Sequence, residues 1–377
     1  MSTETRDLKA GRLSAFAREE RFLGFSVATS VIFLLVGHTL LGLIHSPAGL
    51  VFLFAWLFAA IMGSVLSVVR HADHLAVRLG EPYGTLILTL AVTVVEVMSI
   101  SAVMLHGASN PTLVRDTLFA VVMIVLNGMA GLSLLIGGWR HREQQYNLQG
   151  ANAYLGVIIP LAVFSLILPN YTVTTEGPTL SSVQEAFLAC MALGLYGTFL
   201  AIQTVRHRGY FTLGDEPEEG EAPRGSRRSL AAHIGLLLAH MLPVVYLAEQ
   251  LATPIDYSIE VVHAPRALGG AVIALLVATP EAIGAVRAAW ANQLQRSANI
   301  FLGSVLATIG LTIPTMLVIS HLTGKKIILG VQHTDAILLP LTLAVSVVTF
   351  ASGRTNILQG AVHLLLFAAY LLLIFEG

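Results

Sequence analysis

Two glutamates stand where an ionised side chain costs most. Glu96 lies in the apolar run 83–105 and Glu281 in the apolar run 266–290. A carboxylate at the centre of a bilayer costs roughly 2.5–3.5 kcal/mol on insertion scales. It sheds most of that cost by taking up a proton or a cation. Burial favours the neutral acid and a bound cation favours the carboxylate, so each glutamate can hold a proton or part of a cation, and poorly both. That competition couples a proton flux to a cation flux without a nucleotide. Two facing carboxylates with added neutral oxygens suit a hard cation such as Ca²⁺, which takes about six to eight oxygen ligands. A single intramembrane glutamate could be a protonated packing element, but matched placement in two halves of the chain favours function.

The neighbours of the two glutamates differ. Thr85, Thr89, Thr93, Glu96, Ser99 and His106 follow one another at spacings of four, four, three, three and seven, which places them on one helical face. Such a stripe should face the protein interior or a water-filled path, with Thr93 a candidate oxygen ligand. The run around Glu281 carries Gly269, Gly270, Ala274, Ala278, Gly284, Ala285 and Ala288, small residues that let another helix approach closely. Pro280 precedes Glu281, lacks an N–H and clashes with the carbonyl of Leu276. It is expected to kink the helix and free that carbonyl as a hard oxygen ligand beside the carboxylate. Asn127, Asn299, Ser304 and Thr308 are second-line ligand candidates, each equally readable as helix–helix glue. His38, His233, His240 and His363 read as satisfied interior histidines rather than ligands.

The elements that must hold these residues are transmembrane helices. The 377 residues are 55% hydrophobic and 11% charged, whereas a soluble domain carries about 25% charged residues. The missing polar surface should face lipid. A net charge of −1 gives no sign of a nucleic-acid partner, and the single cysteine, Cys190, excludes an internal disulfide and a Cys-based metal site. Apolar runs long enough to span occur at 25–45, 48–69, 83–105, 117–138, 152–170, 182–204, 231–252, 266–290, 299–320, 333–352 and 357–375. The first run is too long for a signal-peptide core and lacks a small-residue cleavage site, so the N-terminus is expected to be retained. Between the sixth and seventh runs, 206–229 includes Asp215, Glu216, Glu218, Glu219 and Glu221 followed by Arg224, Arg227 and Arg228, and reads as a soluble, disordered linker.

With the N-terminus in the cytoplasm, all the lysines and arginines except Arg115, Arg266, Lys325 and Lys326 fall on the inner side. The positive-inside rule therefore predicts that orientation. The third run is followed by Arg115 and a run rich in small residues (Gly128, Gly131, Gly137, Gly138); the eighth by Arg296 and Gly303, Ser304, Thr308 and Gly310. Setting aside 1–47 as a cytoplasmic segment plus first helix, 48–205 and 230–377 become five-helix units. Five is odd, so the units enter the membrane from opposite sides. The expected fold is all-α, with eleven transmembrane helices, an N-terminal helix and two inverted repeats, and with the site at the midplane between the repeats.

The segment GEPYGTLILTLAVTVVEVMSISAVMLHG, Gly80 to Gly107, resembles the first signature repeat of the cation/proton exchangers of the calcium/cation antiporter superfamily. ATPEAIGAVRAAWANQLQRSANIFLGSVLATIGLTIP, Ala278 to Pro314, resembles the second, and SGRTNILQGAVHLLLFAAYLLLIF, Ser352 to Phe375, is similar to the tail of the bacterial ChaA-type antiporters. The resemblance implies an eleven-helix inverted-repeat fold in the bacterial inner membrane and no cofactor. It implies exchange of cytoplasmic Ca²⁺, or Na⁺ and K⁺, for external protons, with Glu96 and Glu281 as the cation-binding pair. Many calcium/proton exchangers carry a Gly-Asn-Ala-x-Glu pattern. Here Thr93 and Ala278 stand at the asparagine positions, and Ala282 follows the second glutamate where histidine is common. Fewer neutral oxygens leave room for Na⁺ or K⁺. The partners implied are inorganic cations, protons and the lipid bilayer; a homo-oligomer is compatible with the sequence. An intramembrane hydrolase would call for a Gly-x-Ser-x-Gly elbow or a His-Glu-x-x-His pair, neither of which occurs. A channel is disfavoured by the inverted repeat.

Overall fold

Runs of leucine, valine, isoleucine and alanine without water to compete for backbone hydrogen bonds fold as helices. A computed structural model describes residues 18–79, 83–106, 110–213 and 229–376, and eleven long helices account for most of the described residues. These are α1 (Arg21–Leu41, prolonged by a turn to His45), α2 (Pro47–Leu79), α3 (Tyr83–His106), α4 (Leu113–His141), α5 (Leu148–Asn170), α6 (Ser182–Arg206), α7 (Leu230–Glu260), α8 (Ala267–Trp290), α9 (Leu294–Thr323), α10 (Asp335–Thr349) and α11 (Ile357–Glu376). Ten have the length and apolarity to cross a membrane; α10, at 15 residues, is shorter. Large apolar side chains such as Leu35, Val183, Leu242 and Leu365 stay exposed on the outside, the inverse of a water-facing surface. The chain is a multi-pass membrane protein.

Local signals set several of the helix starts. Ser181 and Gln184 form a reciprocal capping box on α6, Asn147 accepts from the Gln149 N–H at 3.0 Å at the start of α5, and Ser229 accepts from Ala232 at 3.2 Å at the start of α7. Two helices overrun the apolar runs that announce them. The run 48–69 becomes Pro47–Leu79, and 231–252 becomes Leu230–Glu260. At 1.5 Å per residue these are about 50 and 46 Å long, well beyond a hydrocarbon core of about 30 Å.

The connections sort onto two faces. On one, the Ile328 N–H donates to the Pro111 carbonyl (2.8 Å), Val331 N–H to Leu166 (2.9 Å) and the Asn170 amide to Val331 (2.8 Å), joining the α3–α4, α5–α6 and α9–α10 connections. This non-helical backbone is covered by protein, with Ile327, Leu329 and Val331 buried. On the other face, β1 (Glu143–Gln145) pairs antiparallel with β2 (Arg354–Asn356), Gln144 facing Thr355. There Gln144 also donates to the Ala289 carbonyl (2.8 Å) and Asn147 N–H to Gln295 (2.6 Å), joining α4–α5, α8–α9 and α10–α11. Helices α4, α5, α9 and α10 therefore each run from one of these faces to the other.

The expected linker divides into two parts. Residues 206–213 are folded: Arg208–Phe211 forms a short turn, Phe211 is buried against Tyr154 and Phe199, and its carbonyl accepts from Asn299. This corrects the reading of 206–213 as disordered; one aromatic residue docks it. The acidic stretch 214–228, like residues 1–17, lies outside the described residues.

Two apolar cores meet at α3 and α8. One gathers α4, α5, α6, α9, α10 and α11; the other gathers α1, α2 and α7. Helix α3 gives Ala91, Val95 and Ala102 to the second core and Ile100 and Val103 to the first; α8 gives Val272 and Leu276 to the second and Ala274, Ala278 and Ala285 to the first. The two glutamate-bearing helices are the seam between the bundles.

Candidate functional site

Helix α3 is unbroken and presents Thr93, Glu96 and Ser99 on a buried face, Glu96 being only 1% exposed. The side chain of Thr85 lies outside the described residues. The polar stripe ends at the surface, where His106 faces Glu249 of α7 at 3.6 Å.

Helix α9 joins the two glutamates. Ser304 donates to Glu281 Oε2, and Thr308, one turn later, donates to Glu96 Oε2 at 2.9 Å. Positions four apart on a helix have Cβ atoms about 5–6 Å apart, so the two carboxyl groups sit side by side along one face of α9. Thr312 continues the face by a further turn and also lies beside Glu96. Glu96 Oε1 and Thr312 Oγ1 are buried and have no hydrogen-bond partner. Two such buried oxygens side by side are costly unless they pair with each other or a ligand completes them. Sequence reasoning found Ser304 and Thr308 but missed Thr312, although its spacing of four from Thr308 was the same signal that marked the α3 stripe.

The backbone of α9 explains how these hydroxyls reach α3. Residues Thr308–Thr312 form a π-helical segment, immediately followed by Ile313 and Pro314. Pro314 cannot donate to the Gly310 carbonyl, which loosens the turn that carries both threonines. Helix α4, the counterpart of α9 in the first half, has its own π-helical segment at Met123–Met129. π-bulges occur frequently at functional sites.

Glu281 is only partly buried, unlike Glu96. Pro280 does not break α8, which stays helical from Ala267 to Trp290. The expected opening of the helix is corrected to a continuous helix; the Leu276 carbonyl lacks its usual N–H donor only because Pro280 has none. The Leu276 side chain packs into the α1–α2–α7 core.

Two sequence candidates are placed elsewhere. Asn127 is turned toward α10 and α11: its amide donates to Thr342 Oγ1 (2.9 Å) and its carbonyl oxygen meets His363 Nδ1 (3.1 Å), whose Nε2 meets Thr349 (3.0 Å). Asn299 donates to the Phe211 carbonyl (2.8 Å) and accepts from Gln295 (2.9 Å). Both amides hold helices and connections together, the alternative that composition could not separate from ligation. His363 is a satisfied interior histidine, whereas His38 is exposed. Asn127→Ala is accordingly expected to lower thermal stability, by about 1–3 kcal/mol for the buried partners left unpaired, while leaving the apparent cation affinity in a transport assay unchanged. A large rise in the half-saturating cation concentration would return Asn127 to the site.

Arg115 and Asp116 anchor the start of α4. Arg115 Nε donates to Asp116 Oδ1 (2.8 Å) and Nη1 to the Gly330 carbonyl (2.9 Å), and Thr112 donates to Asp116 Oδ2 (2.7 Å). The pair is buried, which makes it a rivet between α4 and the α9–α10 connection rather than a surface charge.

Comparison with known proteins agrees with this architecture. The family model described as sodium/calcium exchanger protein matches residues 49–205 and 232–376. The chain is 43% identical over 312 residues to the putative ionic transporter y4hA of Sinorhizobium fredii, covering 82% of this chain and 85% of that one. It is 40% identical over 322 residues to the sodium-potassium/proton antiporter ChaA of Escherichia coli, covering 84% and 86%. The fold is similar to the solved structure of native YfkE, with a TM-score of 0.72 at 18% identity, covering 94% of this chain and 100% of that one. The chain belongs to the sodium/calcium exchanger protein family.

Proposed function

We propose that the protein is a secondary cation/proton antiporter in which Glu96 and Glu281 are alternately protonated and cation-bound. The observation that carries this reading is the bridge on α9: Ser304 and Thr308 hold one oxygen of each carboxyl group, and a second Glu96 oxygen is buried without a partner. The cation ligands are read as Glu96, Glu281, Ser304, Thr308 and Thr312, with Thr93 and the Leu276 carbonyl completing the set. The cargo is Ca²⁺, Na⁺ or K⁺, exported against entering protons across a bacterial inner membrane with the N-terminus cytoplasmic. The units 48–205 and 230–377 are read as the inverted repeats, a division supported by the two matched segments of the family model.

A monovalent-only Na⁺(K⁺)/H⁺ exchanger is the second reading. It is favoured by the absence of an amide at the site among the described residues, now that Asn127 and Asn299 are committed elsewhere, and by the sodium-potassium/proton antiport of the Escherichia coli relative. Reconstituted vesicles with an imposed pH gradient separate the two. Collapse of the gradient by Ca²⁺ supports the broader cargo, collapse by Na⁺ or K⁺ alone the narrower one, and no collapse by any of the three across the pH range defeats antiport.

The hydroxyls make a graded prediction. Ser304→Ala and Thr308→Val each remove a hydrogen bond to a carboxyl group, worth about 1.5–3 kcal/mol when that group is charged. Each variant should raise the half-saturating cation concentration by roughly ten- to a hundredfold while remaining folded. Unchanged saturation curves for both would remove α9 from the site.

A further inference from the structure

A second buried polar cluster lies between the start of α1, α2 and α7, apart from the glutamate pair of α3 and α8. Glu20, just before α1, His71 of α2 and His240 of α7 converge, all buried, with His233 of α7 beside them. Glu20 Oε2 lies 3.3 Å from His71 Nε2 and 3.2 Å from His240 Nε2, and the three ligand-capable atoms all fall within 4.8 Å of one another. Among the described residues this is the group of histidine and carboxylate side chains with metal-binding geometry.

We propose that Glu20, His71 and His240 form a binding site for a divalent transition metal of the Zn²⁺ class, separate from the transported cation. Three observations carry it. First, ligands at about 2.0–2.1 Å from a tetrahedral zinc lie roughly 3.3–3.4 Å from each other; the two oxygen–nitrogen edges are 3.3 and 3.2 Å, and the third, between nitrogens, is within 4.8 Å. Second, the outer ring nitrogens are already oriented. His71 Nδ1 lies 3.1 Å from His233 Nδ1, and His240 Nδ1 lies 3.5 Å from Ser64 Oγ, whose own hydrogen points to Ser26 Oγ at 2.7 Å. With metal on both Nε2 atoms, both Nδ1–H groups face acceptors, as metal-ligating histidines require. Third, the Arg70 guanidinium donates to Glu20 Oε2 at 2.8 Å, which favours the anionic carboxylate that a metal needs.

The ligand set selects the ion. Two imidazoles and a carboxylate suit Zn²⁺, Co²⁺ or Ni²⁺, whereas Ca²⁺ and Mg²⁺ take oxygen. The bound metal pins the start of α1 to α2 and α7, the two longest helices and the core of the bundle that closes one side of the α3–α8 seam. It therefore acts by holding this bundle together and is not itself cargo.

The test is a Co²⁺ titration of the full-length, untagged protein in detergent after chelator treatment, read by the visible d–d band of tetrahedral Co²⁺. One equivalent per chain is expected, displaced by Zn²⁺ and not by Ca²⁺. His71→Gln and His240→Gln should weaken Co²⁺ binding at least tenfold, as should Glu20→Gln, which keeps the size of the side chain. Glu96→Gln and Glu281→Gln should keep the band, and Zn²⁺ should raise the melting temperature of the wild type and not of the His71 variant. Absence of a tetrahedral band in the wild type overturns the proposal, as does a band that survives the histidine variants and disappears with Glu96→Gln or Glu281→Gln.

Discussion

Glu96→Gln and Glu281→Gln are each expected to abolish cation-driven collapse of a pH gradient in proteoliposomes while leaving the protein folded and in the membrane. Glutamine keeps the size of the side chain and an acceptor for Thr308 or Ser304, so packing is preserved. It can neither release a proton nor neutralise a cation. Removing one charged partner from a buried ionic site costs about 3–5 kcal/mol, more than two orders of magnitude in affinity. The aspartate variants should separate the two positions. Glu96 is sealed between α3 and α9 with one oxygen unpartnered, so losing a methylene leaves a gap nothing can fill, and Glu96→Asp should be inactive. Glu281 is partly exposed, and Glu281→Asp should retain measurable exchange with weaker cation binding. Full exchange by both glutamine variants would remove the pair from the mechanism. Equal loss in both aspartate variants would remove the asymmetry between them.

The sequence made the seam legible because an acid in a lipid-length apolar run has no cheap explanation. Helix number and order were equally legible, since lipid allows only helices or closed barrels and apolar runs of about twenty residues fit the helix. Helix length was not. Hydropathy measures preference for lipid, and α2 and α7 carry their polar ends, including His71, His74 and Arg78, beyond the apolar stretch without unwinding. Asn127 and Asn299 illustrate a second limit. An amide that ligates and an amide that ties helices together have the same spacing and burial, and only the partner distinguishes them. The Glu20–His71–His240 cluster shows a third limit: its residues are 51 and 220 positions apart from Glu20, and only the packing of α1, α2 and α7 makes them neighbours.

The second large effect is expected at a residue with no side chain. Gly270 of α8 lies against the backbone of α4, where an added Cβ would stand 2.5 Å from both the Asp116 carbonyl carbon and the Thr117 nitrogen. Backbone cannot rotate aside as a side chain can, so one helix must move. Helix α4 is held there by Arg115, Asp116 and Thr112 through bonds of 2.7–2.9 Å to one another and to Gly330. The displacement therefore falls on α8. Overpacking of this kind costs about 1–3 kcal/mol for a methylene, and Gly270→Val, with three added carbons, should fail to give a monodisperse peak on size-exclusion chromatography in detergent. Gly270→Ala should fold with a lowered melting temperature and should lose exchange out of proportion to its stability. A rigid α8 shifted by a fraction of an ångström carries Glu281 off Ser304, and hydrogen-bonded ion sites tolerate little misplacement. Gly284→Ala on the same helix is the control, because its Cβ would meet only the Ile300 side chain at 3.6 Å, an ordinary contact; it should be near wild type in both assays. If Gly270→Ala is as active as Gly284→Ala, the α4–α8 contact does not position Glu281, and α9 alone must hold the carboxylate pair in register.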